Sequence, residues 1–167
     1  MKKIIHNLQD ALAFQLQGLL SIEKEIDHVL KTCSQYTGSP KIKKAIHEYV
    51  ASASDKVLKI DRVFNYLMEE PIYRKNEIFN KMVDETHQLL SCTASVHLKD
   101  IMLITCIQTI NAKKIASYKT AYIFAAELEM DTASELLQQI LEWELETEKV
   151  LASLAVEEFN KIQLVAS

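Results

Sequence analysis

The sequence predicts an all-α protein that folds as a single domain around four long helices. Of its 167 residues, 49% are hydrophobic and 25% are charged, a balance typical of one soluble domain with a sizeable core. Only two glycines and two prolines occur, which disfavours a turn-rich β fold. Apolar residues recur at steps of three and four, the spacing of one buried helix face. We therefore expect one helical bundle over residues 1–167.

The first two helices are expected at about 4–33 and 40–68. Ser39 suits the N-cap of the second helix, and Pro40 suits its first turn, where the missing N–H has no intrahelical acceptor. Two long helices joined by a short connection should pack as an antiparallel hairpin. The stripes that define them are Leu8, Leu12, Leu16, Leu19, Ile26 and Leu30, then Ile42, Ile46, Tyr49, Ala53, Val57, Ile60, Phe64 and Leu67.

The remaining helices are expected at about 74–91, 97–129 and 132–163. Pro71 ends the first hairpin, and the helix at 74–91 is shorter than the other two. The last two helices form a second long pair. Two hairpins joined by a long crossover have the connectivity of ferritin-like four-helix bundles, here with an additional short helix in the crossover.

Charge and hydropathy exclude several classes of function. The formal net charge is −4 and basic residues are scattered among acidic ones, so no nucleic-acid or anionic-lipid surface is predicted. No apolar run approaches the ~20 residues of a membrane span. The first ten residues are unlike a signal peptide, which favours a cytoplasmic location. The three cysteines are widely spaced, so neither a disulfide framework nor a zinc motif is predicted.

Three charged residues interrupt the apolar stripes near the middle of their helices. Glu23 follows Leu19 by four residues, Lys114 precedes Tyr118 by four, and Glu144 follows Ile140 by four. An unpaired buried charge costs several kcal/mol, so we expect these three side chains to meet in the core. The alternative is that an error of one residue in helical phase places one or more of them on the surface.

The chain resembles the bacterial YciE/YciF family of ferritin-like proteins, which is associated with stress responses. The resemblance covers about residues 4–156, and it rests on the order and spacing of several segments rather than on one motif. It implies a ferritin-like fold, a homodimer and a relation to di-iron carboxylate proteins. The segments are SIEKEI at 21–26, KIDRVF at 59–64, KIASYKT at 114–120 and LLQQILEWELETEKVLASLA at 136–155.

The ligand set that the resemblance implies is only partly present. Di-iron bundles use about four carboxylates and two histidines. Glu23 and Glu144 match two of the acids, whereas Trp143 replaces the acid paired with Glu144. A family Glu-His-Tyr-Glu segment on the third helix becomes 111–114, Asn-Ala-Lys-Lys. On the second helix, a family histidine, two acids and a threonine correspond to Tyr49, Ala51, Ser52 and Ala53.

Lys114 is suited to replace a metal ion rather than to bind one. A protonated lysine has three donors and no lone pair, and its charge repels a cation at short range. We expect it to pair with Glu23 and Glu144, and no cofactor is expected. The remaining carboxylate oxygens would accept hydrogen bonds from Tyr49, Ser52 and Tyr118. Two acids against one lysine leave a charge of −1, so one glutamate is expected to be protonated or reached by water.

Two other functions compatible with the sequence are an enzyme and a binding module. The enzyme would be an oxidase or a peroxide-handling protein with iron or manganese on Glu23 and Glu144, supported by His47 or Glu48. The binding module would use a cavity left by the metal, although Lys114 and Trp143 should fill it. Trp143 and Tyr118 are expected to fill the core rather than to act in redox chemistry.

Overall fold

A computed structural model describes residues 4–166 and confirms the predicted all-α, ferritin-like bundle. The predicted domain also includes residues 1–3 and 167, which lie outside the described part. No strand occurs within 4–166. The helices are α1 (Leu8–Ser34), α2 (Pro40–Ala51), α3 (Ala53–Leu67), α4 (Glu77–Cys92), α5 (Val96–Glu127) and α6 (Asp131–Ala166).

The helices pack as two hairpins with α4 in the crossover between them. The first hairpin is α1 against α2 and α3, and the second is α5 against α6. The two hairpins close on each other through α1 with α5 and through α3 with α6, and α4 lies against α5 and α1. None of the helices in the described residues has the length and apolarity needed to cross a membrane.

The apolar core is divided into two clusters along the bundle axis. One cluster takes residues 12–20 of α1, 118–125 of α5 and 133–140 of α6, and the other takes residues 22–33 of α1, 103–110 of α5 and 151–154 of α6. The division falls at the same level on each helix. Glu23, Lys114 and Glu144 therefore lie where one apolar cluster ends and the other begins.

The second predicted helix, 40–68, is divided at Ser52 into α2 and α3. The hydroxyl of Ser52 donates to the carbonyl of Tyr49 at 2.8 Å. In an uninterrupted helix that carbonyl would accept the N–H of Ala53, so the serine competes with the helical hydrogen bond. At the start of α2, the N–H of Ile42 donates to the side chain of Ser39 at 3.4 Å, which confirms the predicted N-cap.

Two helices end in a left-handed residue that is not glycine. Met68 follows α3 and Glu129 lies just beyond α5, and both have left-handed backbones with φ of 54° and 56°. The amide of the residue after Met68 donates to the carbonyl of Phe64 at 3.2 Å, and the amide after Glu129 donates to that of Ala125 at 3.0 Å. This is the Schellman ending, in which glycine is usually found because an L side chain is strained there.

We predict that Met68→Gly raises the free energy of unfolding by about 0.5–1 kcal/mol, because glycine removes the left-handed strain. The Met68 side chain is 92% exposed, so little packing is lost. Urea denaturation measures the change. Met68→Ala is the control, because alanine keeps the Cβ atom and should give no such gain. Equal effects of the two substitutions would contradict the strain argument.

Candidate functional site: an ion-paired centre in the bundle core

The structure brings Glu23, Lys114 and Glu144 together in the middle of the bundle. Lys114 Nζ lies 2.8 Å from Glu23 Oε1 and 2.7 Å from Glu144 Oε1, and all three side chains are fully enclosed. The three residues belong to α1, α5 and α6, each on the buried stripe of its helix. A single ammonium group thus joins the carboxylates of two helices from opposite hairpins.

Two tyrosines complete the hydrogen bonding predicted for the carboxylates. The hydroxyl of Tyr118 donates to Glu23 Oε1 at 2.8 Å, and that of Tyr49 donates to Glu144 Oε2 at 3.0 Å. Burial raises the pKa of both phenols above the ordinary value, so they remain protonated donors at neutral pH. Lys114 Nζ also lies 4.6 Å from the centroid of the Tyr49 ring, within cation–π distance.

Lys56 is a fourth charged residue of the centre, and sequence reasoning missed it. Its ammonium group contacts Glu144 Oε1, and its side chain is fully buried. Asn111, also not predicted as a donor, gives its amide to Glu144 Oε2 at 2.8 Å and to the Glu144 carbonyl oxygen at 3.1 Å. Both Glu144 oxygens therefore have donors from several helices.

A signal for Lys56 was present in the sequence. The buried positions of α2 and α3 include 49, 53, 56, 60, 63 and 67, alternating steps of four and three. Lys56 lies on this stripe, between Ala53 and Ile60. The stripe expected from the sequence runs through Val57 instead, but Val57 is half-buried and lies beside the core rather than within it.

Lys56 balances the charge of the centre. Two carboxylates now face two ammonium groups, so the −1 expected from the sequence does not arise. Burial disfavours ionisation of Glu144, but the charges of Lys114 and Lys56 outweigh it and hold the pKa of Glu144 below its ordinary value. The protonation expected for one of the two glutamates therefore does not apply to Glu144.

The two lysines differ in their electrostatic environment. Burial, with repulsion from Lys114, lowers the pKa of Lys56. Burial also acts to lower the pKa of Lys114, but Glu23, Tyr49 and Glu144 outweigh it and raise that pKa well above the ordinary value. Lys114 bridges two carboxylates while Lys56 contacts one, which explains the difference.

Three predicted participants lie outside the centre. Ser52 is half-buried and donates to the Tyr49 carbonyl rather than to a carboxylate, because its short side chain bonds within its own helical turn. His47 and Glu48 are exposed, since they occupy the outer face of α2. Glu48 pairs instead with Lys44 across one helical turn at 3.7 Å.

Trp143 does not fill the core as expected. Its side chain is 39% exposed, and Lys59 lies 5.3 Å from the centroid of its ring. Trp143 precedes Glu144 by one residue, and the next position along a helix points about 100° away, so only one of the two can face the centre. Tyr118, by contrast, is fully buried.

Glu23 is less completely satisfied than Glu144. Its Oε2 atom is buried and accepts no hydrogen bond from the described residues. Its Oε1 atom is shared by Lys114 Nζ and the Tyr118 hydroxyl, each at 2.8 Å. Glu23 also lines an open groove between α1 and α2–α3 with Asp27, Val50 and Leu58.

The residues of the centre do not match the ligands that a two-metal site requires. Such a site needs several carboxylates and histidines to offset the cations. Here two carboxylates are offset by two lysines, which offer no lone pair when protonated. Within residues 4–166, no group of three or more His, Cys, Asp or Glu side chains is placed to hold a metal ion.

The fold and this centre define a ferritin-like helical bundle whose core is joined by ion pairs. The chain belongs to the family described as a domain of unknown function (DUF892), whose model matches residues 7–163.

Known relatives agree with this membership. The chain is 26% identical to the protein YciF of Escherichia coli K12 over 155 residues, which is 92% of this chain and 93% of that protein. The crystal structure of the E. coli stress protein YciF is similar, with a TM-score of 0.89, 25% identity, and coverage of 94% of this chain and 99% of that one. The fold is shared with YcfI from Rhodopseudomonas palustris, with a TM-score of 0.86, 18% identity, and coverage of 91% and 97%.

We predict that Lys114→Ala lowers the free energy of unfolding by about 3 kcal/mol near neutral pH, because it leaves the buried Glu23 without a cation and Glu144 with Lys56 alone. Lys56→Ala should cost less, since Lys114 still contacts both acids. Denaturant titration measures both effects. Lys119→Ala, at an exposed position on the same helix, is the control and should be near neutral. A loss no larger than the control would contradict the ion-paired centre.

The cost of Lys114→Ala should shrink in acid. Because the folded state lowers the pKa of Glu144, ionised Glu144 stabilises the protein above its ordinary pKa of 4.5, and this contribution is lost as pH falls through the lower folded value. Wild type should therefore lose stability in that range. The free energy of unfolding of the variant should depend less on pH in this range, because one of the two lysines that lower the pKa of Glu144 is gone.

Proposed function

We propose that this protein is a cytoplasmic, stress-associated ferritin-like bundle that has lost its di-iron centre and acts as a structural or interaction protein rather than as an enzyme. The observation that supports this most directly is the position of Lys114 Nζ, 2.8 and 2.7 Å from carboxylates of Glu23 and Glu144. The association with stress follows from the resemblance to the E. coli stress protein YciF.

The proposal rests on replacement of charge. In a di-iron bundle, metal cations neutralise inward-facing acids, whereas here Lys114 and Lys56 neutralise Glu23 and Glu144. A divalent cation that entered would meet two positive charges at close range in a region of low dielectric. It would also have to displace the hydrogen bonds from Tyr49 and Tyr118. Binding of such a cation is therefore disfavoured by both charge and geometry.

Metal analysis tests the proposal. Protein purified from cells supplemented with iron and manganese should contain less than one equivalent of either metal per chain, and Glu144→Ala should not change that content. Neither chelator nor added Mn²⁺ should shift the melting temperature, since a ligand of the folded state would raise it. Peroxide and oxygen consumption should equal the Glu144→Ala background. A tightly held inner ion that Glu144→Ala removes would overturn the proposal.

We further propose that the protein is a homodimer, as the family resemblance implies. Support comes from α6, where several apolar side chains are exposed and available for a subunit contact. They are Val150, Val156, Phe159, Leu164 and Val165. Sedimentation equilibrium should give twice the chain mass of 19.1 kDa at micromolar concentration. A monomer mass at all concentrations tested would contradict this.

A further inference from the structure

A cavity lies on the face of α1 opposite the open groove that Glu23 lines. It has a volume of about 490 Å³ and lies where α1, α5 and the beginning of α4 meet. That volume is within the range of small-molecule sites. It is separate from the ion-paired centre, because none of Glu23, Lys114 and Glu144 lines it.

The lining of this cavity carries unbalanced positive charge. Arg74, Lys75 and Lys113 line it against a single acid, Glu77. Within the described residues, none of the three cations lies within ion-pair distance of a carboxylate. This contrasts with the protein as a whole, which has a net charge of −4. The local excess of positive charge favours an anion.

Gln17 gives an independent indication of a ligand. Its side chain lines the cavity and is only 9% exposed, yet no hydrogen bond joins it to any described residue. An amide that faces a cavity without a protein partner is normally bonded to water or to a ligand. A polar group entering the cavity would satisfy it.

The first turn of α4 adds backbone donors at the edge of the cavity. Asn76 caps this helix by accepting the N–H of Phe79 at 3.0 Å. The N–H groups of Glu77 and Ile78 are in the first helical turn, where no intrahelical acceptor exists. The helix dipole adds partial positive charge at the same end.

The walls are held in place without a ligand. The side-chain amide of Asn76 donates to the Gly18 carbonyl at 3.4 Å, and the hydroxyl of Ser21 donates to the Arg74 carbonyl. Both contacts fasten the crossover segment to α1. The Arg74 guanidinium lies 6.0 Å from the centroid of the Phe14 ring. A pre-formed site avoids part of the entropic cost of ordering it on binding.

We propose that this cavity binds a small organic anion. Its phosphate or carboxylate group is held by Lys113, Arg74 and the first amides of α4, and its polar edge bonds to the Gln17 amide. Its apolar body packs on the hydrophobic part of the lining, formed by Phe14, Leu19, Ile22 and Ile78. This inference does not rest on the proposed function, and either can fail without the other.

Titration of ¹⁵N-labelled protein, followed by NMR, tests the proposal. The probes are inorganic phosphate, phenyl phosphate, phenylacetate and neutral benzyl alcohol. The two aromatic anions should shift the backbone amides of 77–79 and the side-chain amide of Gln17, more strongly than inorganic phosphate or benzyl alcohol does. Added salt should weaken binding, since the cations are partly exposed. Comparing the affinities for phenyl phosphate and phenylacetate shows whether the cavity prefers a phosphate or a carboxylate group.

Matched variants locate the binding. Lys113→Ala should lower the affinity for the tighter-binding aromatic anion about tenfold, the effect expected for loss of one charge-assisted contact. Lys119→Ala, on the same helix, should leave that affinity nearly unchanged. Glu77→Gln should tighten binding by removing the opposing charge. Gln17→Leu should weaken binding, because it removes the amide that bonds to the polar edge of the ligand.

Several outcomes would overturn the proposal. These are no shift with any probe at millimolar concentration, shifts outside the cavity, or equal loss of affinity in Lys113→Ala and Lys119→Ala. Inorganic phosphate binding as tightly as phenyl phosphate would exclude recognition of an organic body. Since Glu77→Gln and Lys119→Ala alter exposed positions, the comparison remains available even if Gln17→Leu fails to fold.

Discussion

The arrangement of the helices depends on the hydrogen bonds and ion pairs made by the carboxylate of Glu144. It is fully buried on α6 and accepts contacts from Tyr49 on α2, Lys56 on α3, and Asn111 and Lys114 on α5. An ionised carboxylate in a low-dielectric core is strongly unfavourable unless all of these donors are in place. Sliding any of these helices by one turn would withdraw a donor. The apolar clusters above and below supply most of the stabilisation, and the polar centre selects one register for them.

The same arrangement explains how buried acids in a ferritin-like bundle can be neutralised by side chains. Inward-facing acids on α1 and α6 need positive charge, and two lysines on α3 and α5 supply it. The two acids are not bonded alike: both Glu144 oxygens are bonded, whereas one Glu23 oxygen has no partner among the described residues. Neutralising both acids with side chains takes lysines on two helices, because one lysine alone would leave a net charge in the core.

The sequence was sufficient for the fold, for the three central charges and for their two tyrosine donors, and insufficient for Lys56 and Asn111. Long stripes at steps of three and four identify helices because the buried face of a helix must be apolar, and the same rule exposes Glu23, Lys114 and Glu144 as exceptions. Lys56 was missed because Val57 also fits an apolar stripe, and a shift of one residue turns a side chain by about 100°. The outward position of Trp143 follows from that same rotation. The division at Ser52 and the cavity beside α4 depend on contacts between distant segments, which periodicity does not encode.

The polar centre also affects how stability changes with temperature. Exposure of apolar surface raises the heat capacity of unfolding, and exposure of polar surface lowers it. Placing Glu23, Lys56, Lys114 and Glu144 where other bundles would bury aliphatic residues reduces this heat capacity, so the curve of free energy against temperature is flatter. The cost of desolvating these charges also falls on heating. A bundle with ion pairs in its core therefore loses less free energy of unfolding when the temperature rises than a bundle with a wholly apolar centre.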